Sequence, residues 1–392
     1  MTDRARAGVR LPRRLLNLPG YPLADIPDIK ARLAAEGRSV IDLGVGDPGL
    51  PAPAVAIEAL RDAAGDPAMH GYAFQRGHLP YRRAVASWLE DRFGRPMDAE
   101  REVLPLIGSK EGIALLAFAL LDPGDVALVP DPCYAAYVGG SLFAGARVCR
   151  HRLRSQDGFL VPPEAIRDVE GPLKLVYLNY PNNPTGAVAE RAYLEDVVAA
   201  CRDRGAVLAY DNAYSEIAFD GFRPPGLLEI PGATDVGIEF HSFSKTFNMT
   251  GWRLGWACGG SSLVGALARV KTFFDTGVFL AVQAAGAAVL ERGREAIEAN
   301  VEVLRSRRDT AVSAFRAAGL DVCPPRATLY LWFPVPTAED SASYCRRLLE
   351  ETGVILLPGS AMGEGGEGWL RASLSVEPAL YEEVARRIAE AG

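Results

Sequence analysis

From about Ala52 to Gly260 the chain alternates helical and strand patterns, and that alternation narrows the fold more than any other feature. Apolar residues at helical spacing mark Ala54–Ala64, Leu79–Arg92, Lys110–Leu121 and Arg191–Asp203. Short apolar runs predict strands at Val126–Val129, Ala146–Arg150, Leu173–Leu178, Ala206–Tyr210, Gly237–Phe240 and Leu254–Ala257. Strands that alternate with helices form a mostly parallel sheet covered on both faces. Ligands of such sheets bind at the carboxyl ends of the strands.

Past Gly260 the pattern changes. Helices are expected at Ser261–Thr272, Val278–Leu290, Arg294–Ala318 and Glu377–Glu390, with strands at Thr328–Phe333 and Gly353–Leu356. This reads as a smaller α+β domain, joined by the N-terminal segment. The expected division is residues 1–46 as an arm and part of the small domain, 47–283 as the large domain, and 284–392 as the small C-terminal domain.

Composition excludes several classes. A net charge of -7 gives no global attraction for nucleic acid or anionic membrane. The basic stretch Arg4 to Arg14 has no apolar run behind it, so it reads as a solvated arm rather than a signal peptide. No run of about 18 apolar residues predicts a membrane span. The six cysteines form no C-x-x-C pair and read as small apolar fillers in a reducing cytoplasm. The four histidines lack metal-ligand spacing, so no metal is expected.

Lysine is scarce. Of 42 basic residues only Lys30, Lys110, Lys174, Lys245 and Lys271 are lysines. Arginine replaces lysine wherever charge alone matters, but not where an amine must lose its proton. Lys245 stands in Ser242-Phe243-Ser244-Lys245, just past a strand, with Arg253 eight positions later. An amine there can form an imine with an aldehyde. The hydroxyls and the guanidinium suit a phosphate.

Other candidates also follow strands. Asp211, in Tyr210-Asp211-Asn212-Ala213-Tyr214, is placed to pair with a protonated pyridine nitrogen or to cap a helix. Tyr214 is placed to donate to a phenolate. In Asn179-Tyr180-Pro181-Asn182-Asn183-Pro184-Thr185-Gly186, Asn183 can present its amide to a ring oxygen, although these are also turn residues. Gly108-Ser109-Lys110 opens a helix, where free N–H groups favour phosphate. Tyr134 suits stacking on a pyridine or a place in the core. Arg371, among apolar neighbours, requires an anion: a substrate carboxylate or a structural ion pair.

The run Gly44-Val45-Gly46-Asp47-Pro48-Gly49 matches G-x-G-x-x-G. Leu50-Pro51-Ala52-Pro53 follows it instead of a helix, so it reads as a turn where backbone nears a ligand, not as a dinucleotide loop.

Taken together, PNNPTG, the Asp-x-x-Tyr pair, SFSKTFNMTGWR and Arg371 resemble the class I/II aminotransferases of pyridoxal-5′-phosphate (PLP) fold type I, from about Tyr21 to Ile388. IDLGVGDPGLPAP, IGSKEGIA and TFFDTGVF resemble the LL-diaminopimelate aminotransferase group within them. The resemblance implies PLP as cofactor and Lys245 as the imine-forming lysine. It places Asp211 at the ring nitrogen, Asn183 and Tyr214 at the ring oxygen, and Tyr134 on the ring. Gly108, Ser109, Lys110, Ser242, Ser244 and Arg253 would surround the phosphate, and Arg371 would clamp the substrate carboxylate beside Gly46. Tyr72 would reach a neighbouring subunit's phosphate, which implies a homodimer with shared sites. The implied reaction is a ping-pong exchange between an amino acid, LL-diaminopimelate first, and 2-oxoglutarate, in lysine and cell-wall metabolism. N-succinyldiaminopimelate, aspartate or alanine transamination, a C–S lyase and a non-catalytic PLP-binding regulator are the alternatives. The group commonly has an acid just before the glycine matching Gly77. Here Gln75-Arg76 stands there, and arginine favours a distal carboxylate or succinyl group over an ammonium.

Overall fold

The computed structural model describes residues 11–18, 20, 26–74 and 76–390. Gln75, Tyr21 and Arg4 to Arg10 of the basic stretch lie outside these. Residues 11–17 of the arm are exposed, as a solvated segment should be.

The large sheet has seven strands: β2 (Val103–Leu106), β3 (Val126–Asp131), β4 (Arg147–Arg152), β5 (Leu173–Leu178), β6 (Val207–Asp211), β7 (Gly237–Ser242) and β8 (Gly255–Gly259). β1 is the short Ile41–Asp42, outside this sheet. The spatial order is β2-β8-β7-β6-β5-β3-β4. β4, β3, β5, β6 and β7 pair in parallel, and β8 is antiparallel to both its neighbours. So β8 alone runs against the sheet, and its first residue lies at the edge where the others end.

Side chains alternate between faces, and both faces are apolar. Ala127, Val129, Tyr177, Ala209 and Phe240 pack under the helices Ser109–Leu120, Ala135–Phe143 and Ser261–Lys271. Val126, Leu128, Val176, Leu208 and Tyr210 pack on the opposite side with Arg191–Arg204. A third layer, Leu79–Phe93 and Leu280–Arg292, covers β2 and β8 through Tyr81, Val85, Leu89 and Trp256.

A second core joins Ile41 and Leu43 to residues 304–388. β1 pairs in parallel with β10 (Val354–Ile355). β9 (Tyr330–Pro334), β11 (Leu357–Pro358) and β12 (Trp369–Ser373) form an antiparallel sheet in the order β11-β12-β9. Leu304 and Phe315 of the helix Arg294–Ala317 bury against Leu331, Phe333, Leu370 and Tyr381. Among the described residues no helix is long and apolar enough to cross a membrane.

Several elements are absent from the sequence expectation, among them β12, which carries Arg371, and the helix Ile26–Ala35. β2 contains Pro105, which argues against a strand, yet β2 is an edge strand where a missing donor is tolerated. Ala135–Phe143 is short and carries Gly139 and Gly140. Ser341–Thr352 is absent from the expected helices although Tyr344, Cys345, Leu348 and Leu349 recur at helical spacing between an Asp340 cap on the Ser343 N–H and a left-handed Gly353. The cysteine expectation needs one correction, because Cys323 is exposed rather than packed.

Candidate active site

Because β8 is reversed, the carboxyl ends of β2, β3, β5, β6 and β7 and the start of β8 share one edge. A cleft of about 660 Å³ opens there. It is lined by Gly46, Ser109, Lys110, Tyr134, Asn183, Asp211, Tyr214, Ser242, Ser244, Lys245, Arg253 and Arg371, all anticipated from sequence.

Lys245 lies in the single turn Phe243–Thr246, whose first N–H groups are capped by the Ser242 hydroxyl on the Ser244 N–H at 3.2 Å. The lysine Nζ reaches into the cleft and donates to the Gly46 carbonyl. The glycine-rich run after β1 is therefore a close backbone approach. A Cβ on Gly46 would sit 2.3 Å from the Tyr330 hydroxyl.

Asp211 closes β6 and is buried. Its Oδ2 accepts from the Tyr137 hydroxyl at 2.8 Å, while Oδ1 has no partner. Burial pushes the carboxyl up to about 6, opposed by the Tyr137 hydroxyl, His241 and the Ala213 N–H. A buried acceptor left open is costly unless a ligand donates to it. A protonated pyridine nitrogen meets that need.

The anion end rests on the helix Ser109–Leu120, whose N-terminus faces the cleft. Glu111 Oε2 accepts the Ile107 N–H at 2.7 Å and fixes the turn before it. Gly108 adopts φ +75°, and a Cβ there would lie 2.5 Å from Arg253 Nη2, so only glycine lets the guanidinium in. Arg253, itself left-handed at φ 55°, donates from Nη1 to the Thr250 carbonyl at 2.7 Å. Lys110 Nζ stands 5.5 Å from the Tyr134 ring centroid. Hydroxyls, a guanidinium, an ammonium and a helix N-terminus together fit a phosphate.

Arg371 in β12 is buried and meets only neutral oxygens: Nη1 donates to Asn183 Oδ1 at 2.9 Å and Nη2 to the Gly44 carbonyl at 2.6 Å. Its Nε has no partner, and no carboxylate pairs with it among the described residues. A structural ion pair is thereby excluded within them, and a ligand carboxylate fits. Because Asn183 Oδ1 is taken by Arg371, its NH₂ remains to serve the cleft. The loop holding Asn183 is locked by asparagines as much as by prolines. Asn179 Oδ1 accepts the Asn183 N–H at 2.7 Å, and Asn182 Oδ1 accepts from Thr185 Oγ1 at 2.7 Å.

Two expected residues stand apart. Tyr72 is 74 % exposed and does not line this chain's cleft. Arg76 donates to the Glu100 carbonyl and lines a separate groove with Arg101 and Arg269. Two cleft-supporting residues carry no local sequence signal. Tyr137 lies in the unanticipated helix, and Tyr330 reads as an ordinary strand residue. Their partners are 74 and 116 positions away.

Comparison with known proteins agrees with this geometry. Residues 38–388 match the family described as aminotransferase class I and II. The LL-diaminopimelate aminotransferase of Desulforudis audaxviator is 46% identical over 380 residues, 95% of this chain and 96% of that protein. That of Moorella thermoacetica is 44% identical, covering 96% and 97%. The solved structure of the probable N-succinyldiaminopimelate aminotransferase from Thermus thermophilus superposes with a TM-score of 0.88 at 36% identity, covering 95% of this chain and all of that one. A lysine, a buried carboxylate, an anion cradle and an unpaired arginine around one cleft are what PLP-dependent transamination requires, and the chain belongs to the class I and II aminotransferases.

Proposed function

We propose that this aminotransferase moves the amino group of LL-diaminopimelate to 2-oxoglutarate. The observation that carries the reading is that Lys245, Asp211 and Arg371 line one cleft, with Asp211 Oδ1 and Arg371 Nε left without partners. The LL-diaminopimelate aminotransferases similar to it over almost their whole length support the substrate.

When bound, PLP supplies an aldehyde that condenses with amines and a ring that withdraws electrons from the substrate's α-carbon. Asp211 Oδ1 holds a proton on the ring nitrogen. The Asn183 amide and the Tyr214 hydroxyl hold the ring oxygen, and Tyr134 packs on the ring face. Ser109, Lys110, Ser242, Ser244 and Arg253, with the turn at Gly108, hold the phosphate. Arg371 fixes the substrate α-carboxylate and so aims the Cα–H bond at Lys245. The Lys245 amine would take the α-proton as general base and return it as general acid. One carboxylate seat serves donor and acceptor in turn, which makes the kinetics ping-pong.

Tyr72, Phe74 and Phe273 are 74 %, 59 % and 85 % exposed on one chain, which supports burial against a second copy in a homodimer, with Tyr72 serving the partner's site. The division expected at about residues 46 and 283 belongs to the same reading, with the whole helix Leu280–Arg292 on the large-domain side. Six free thiols fit a reducing, cytoplasmic setting.

A second donor has support of its own. The solved probable N-succinyldiaminopimelate aminotransferase, 36% identical to this chain, supports the N-succinyl form. The test is a donor panel with 2-oxoglutarate: LL-diaminopimelate, N-succinyldiaminopimelate, aspartate, alanine and glutamate. Turnover of LL-diaminopimelate is expected to be greatest. Activity with aspartate alone overturns the substrate reading, and ammonia with pyruvate released without 2-oxoglutarate marks a lyase. Lys245→Ala is expected to lose transamination, and wild-type turnover in it overturns the mechanism.

A further inference from the structure

We infer that Tyr330 is a positioning residue that ties the carboxylate clamp to the cofactor's ring-oxygen donor. The inference deepens the reading above and rests on it. Tyr330 opens β9 and is almost wholly buried beneath the cleft it helps line. The Arg371 guanidinium carbon lies 4.3 Å from its ring centroid, so the ring is a platform for a cation held otherwise by two neutral oxygens. Its hydroxyl lies 3.1 Å from the Tyr214 hydroxyl. It also lies so close to Gly46 that no side chain fits there.

Each contact has a separate consequence. The ring fixes the plane of the guanidinium, hence the direction in which it would meet a carboxylate. The hydroxyl fixes the proton of Tyr214. When Tyr330 donates to the Tyr214 oxygen, the Tyr214 proton is free to turn toward the ring oxygen, and that donation makes it a stronger donor. A donor on the ring oxygen competes with the imine proton for the same electrons, so a weaker donor makes that proton harder to remove.

Two variants separate the roles. Tyr330→Phe keeps the platform and deletes the hydroxyl. The pH midpoint of the PLP-loaded enzyme's visible absorption is expected to move upward, with KM for the amino donor within about twofold of wild type. Tyr330→Leu deletes both. The same upward shift is expected, with KM raised roughly tenfold by loss of the cation–aromatic contact. An unmoved midpoint in Tyr330→Phe, or an unchanged KM in Tyr330→Leu, overturns the inference while an absorbing wild type leaves the reading of the cleft standing. A wild-type chain that develops no visible absorption with PLP overturns both.

Discussion

The Tyr137 hydroxyl donates to Asp211 Oδ2 across 2.8 Å of buried space, and this one bond decides which carboxylate oxygen is left open. Tyr137 is held for the task. Its ring stacks on Tyr177 at 5.0 Å and 10°, and Tyr134 meets it edge-on at 5.9 Å. Burial raises the Tyr137 hydroxyl well above its usual range, with the Asp211 charge adding to it, so Tyr137 stays a donor at any working pH.

Tyr137→Phe removes that donor and little volume. Its hydroxyl lowers the Asp211 carboxyl, so the variant's carboxyl is expected above the present value of about 6. A weaker hold on a protonated ring nitrogen follows. A lost buried hydrogen bond to a charge costs on the order of 1–2 kcal/mol. The dissociation constant for PLP, measured by absorbance titration of the stripped protein, is expected to rise roughly tenfold.

Asp211→Asn should stabilise the cofactor-free protein while abolishing transamination. The carboxyl rises from 3.8 to about 6 on folding, so the folded state binds the proton more tightly than the unfolded state. The sign follows: stability from this group is fully present below about 3.8, is lost as pH rises toward 6, and stays lost above. At neutral pH the cost of the buried charge is on the order of 2–3 kcal/mol. Urea unfolding of stripped wild type and variant should show the variant ahead at pH 7.5 and the two converging near pH 4. A gap independent of pH would count against the buried charge as its cause.

Gly108→Ala tests the anion end. The substitution strains a left-handed position and pushes a methyl to within 2.5 Å of Arg253 Nη2. Backbone strain alone costs on the order of 1–3 kcal/mol. PLP affinity is expected to fall at least tenfold, whereas affinity for pyridoxal, which lacks the phosphate, changes little. Equal losses for both would mean that the turn does not serve the phosphate.

Much of this site was legible because parallel sheets place ligands at strand ends, and polar residues break apolar runs there. Asp211, Asn183 and Ser242 announce themselves by following Leu208, Val176 and Phe240. Tyr137 and Tyr330 do not, since a tyrosine in an apolar stretch looks the same whether its hydroxyl meets a carboxylate or a carbonyl. Distance along the chain hides those partners. β2 was hidden by Pro105, whose cost vanishes only at an edge that the sequence does not reveal. Arg76 shows the converse: its residue type suggested a substrate contact, but in this chain it is spent on the Glu100 carbonyl.

Lys271 was singled out by scarcity alone, and the structure gives it a structural task. Its amine is fully buried at the end of the helix Ser261–Lys271, 2.6 Å from Glu111 Oε1 and 2.6 Å from Asp275 Oδ2. Glu111 also holds the Ile107 N–H, so the same carboxylate ties the phosphate-facing turn to the segment bearing Phe273 and Phe274. Removing one partner of a buried ionic group leaves uncompensated charge, at a cost of roughly 3–5 kcal/mol. Lys271→Met leaves two carboxylates side by side without a cation. Its urea midpoint is expected to fall sharply at pH 7.5 and to recover in part toward pH 5, as one of the two carboxylates takes up a proton. Lys271→Arg keeps the charge but brings a broader head group into a space with no exposure, so it should restore only part of the loss. A Lys271→Met protein as stable as wild type across that range would show that the triad contributes nothing to holding the turn.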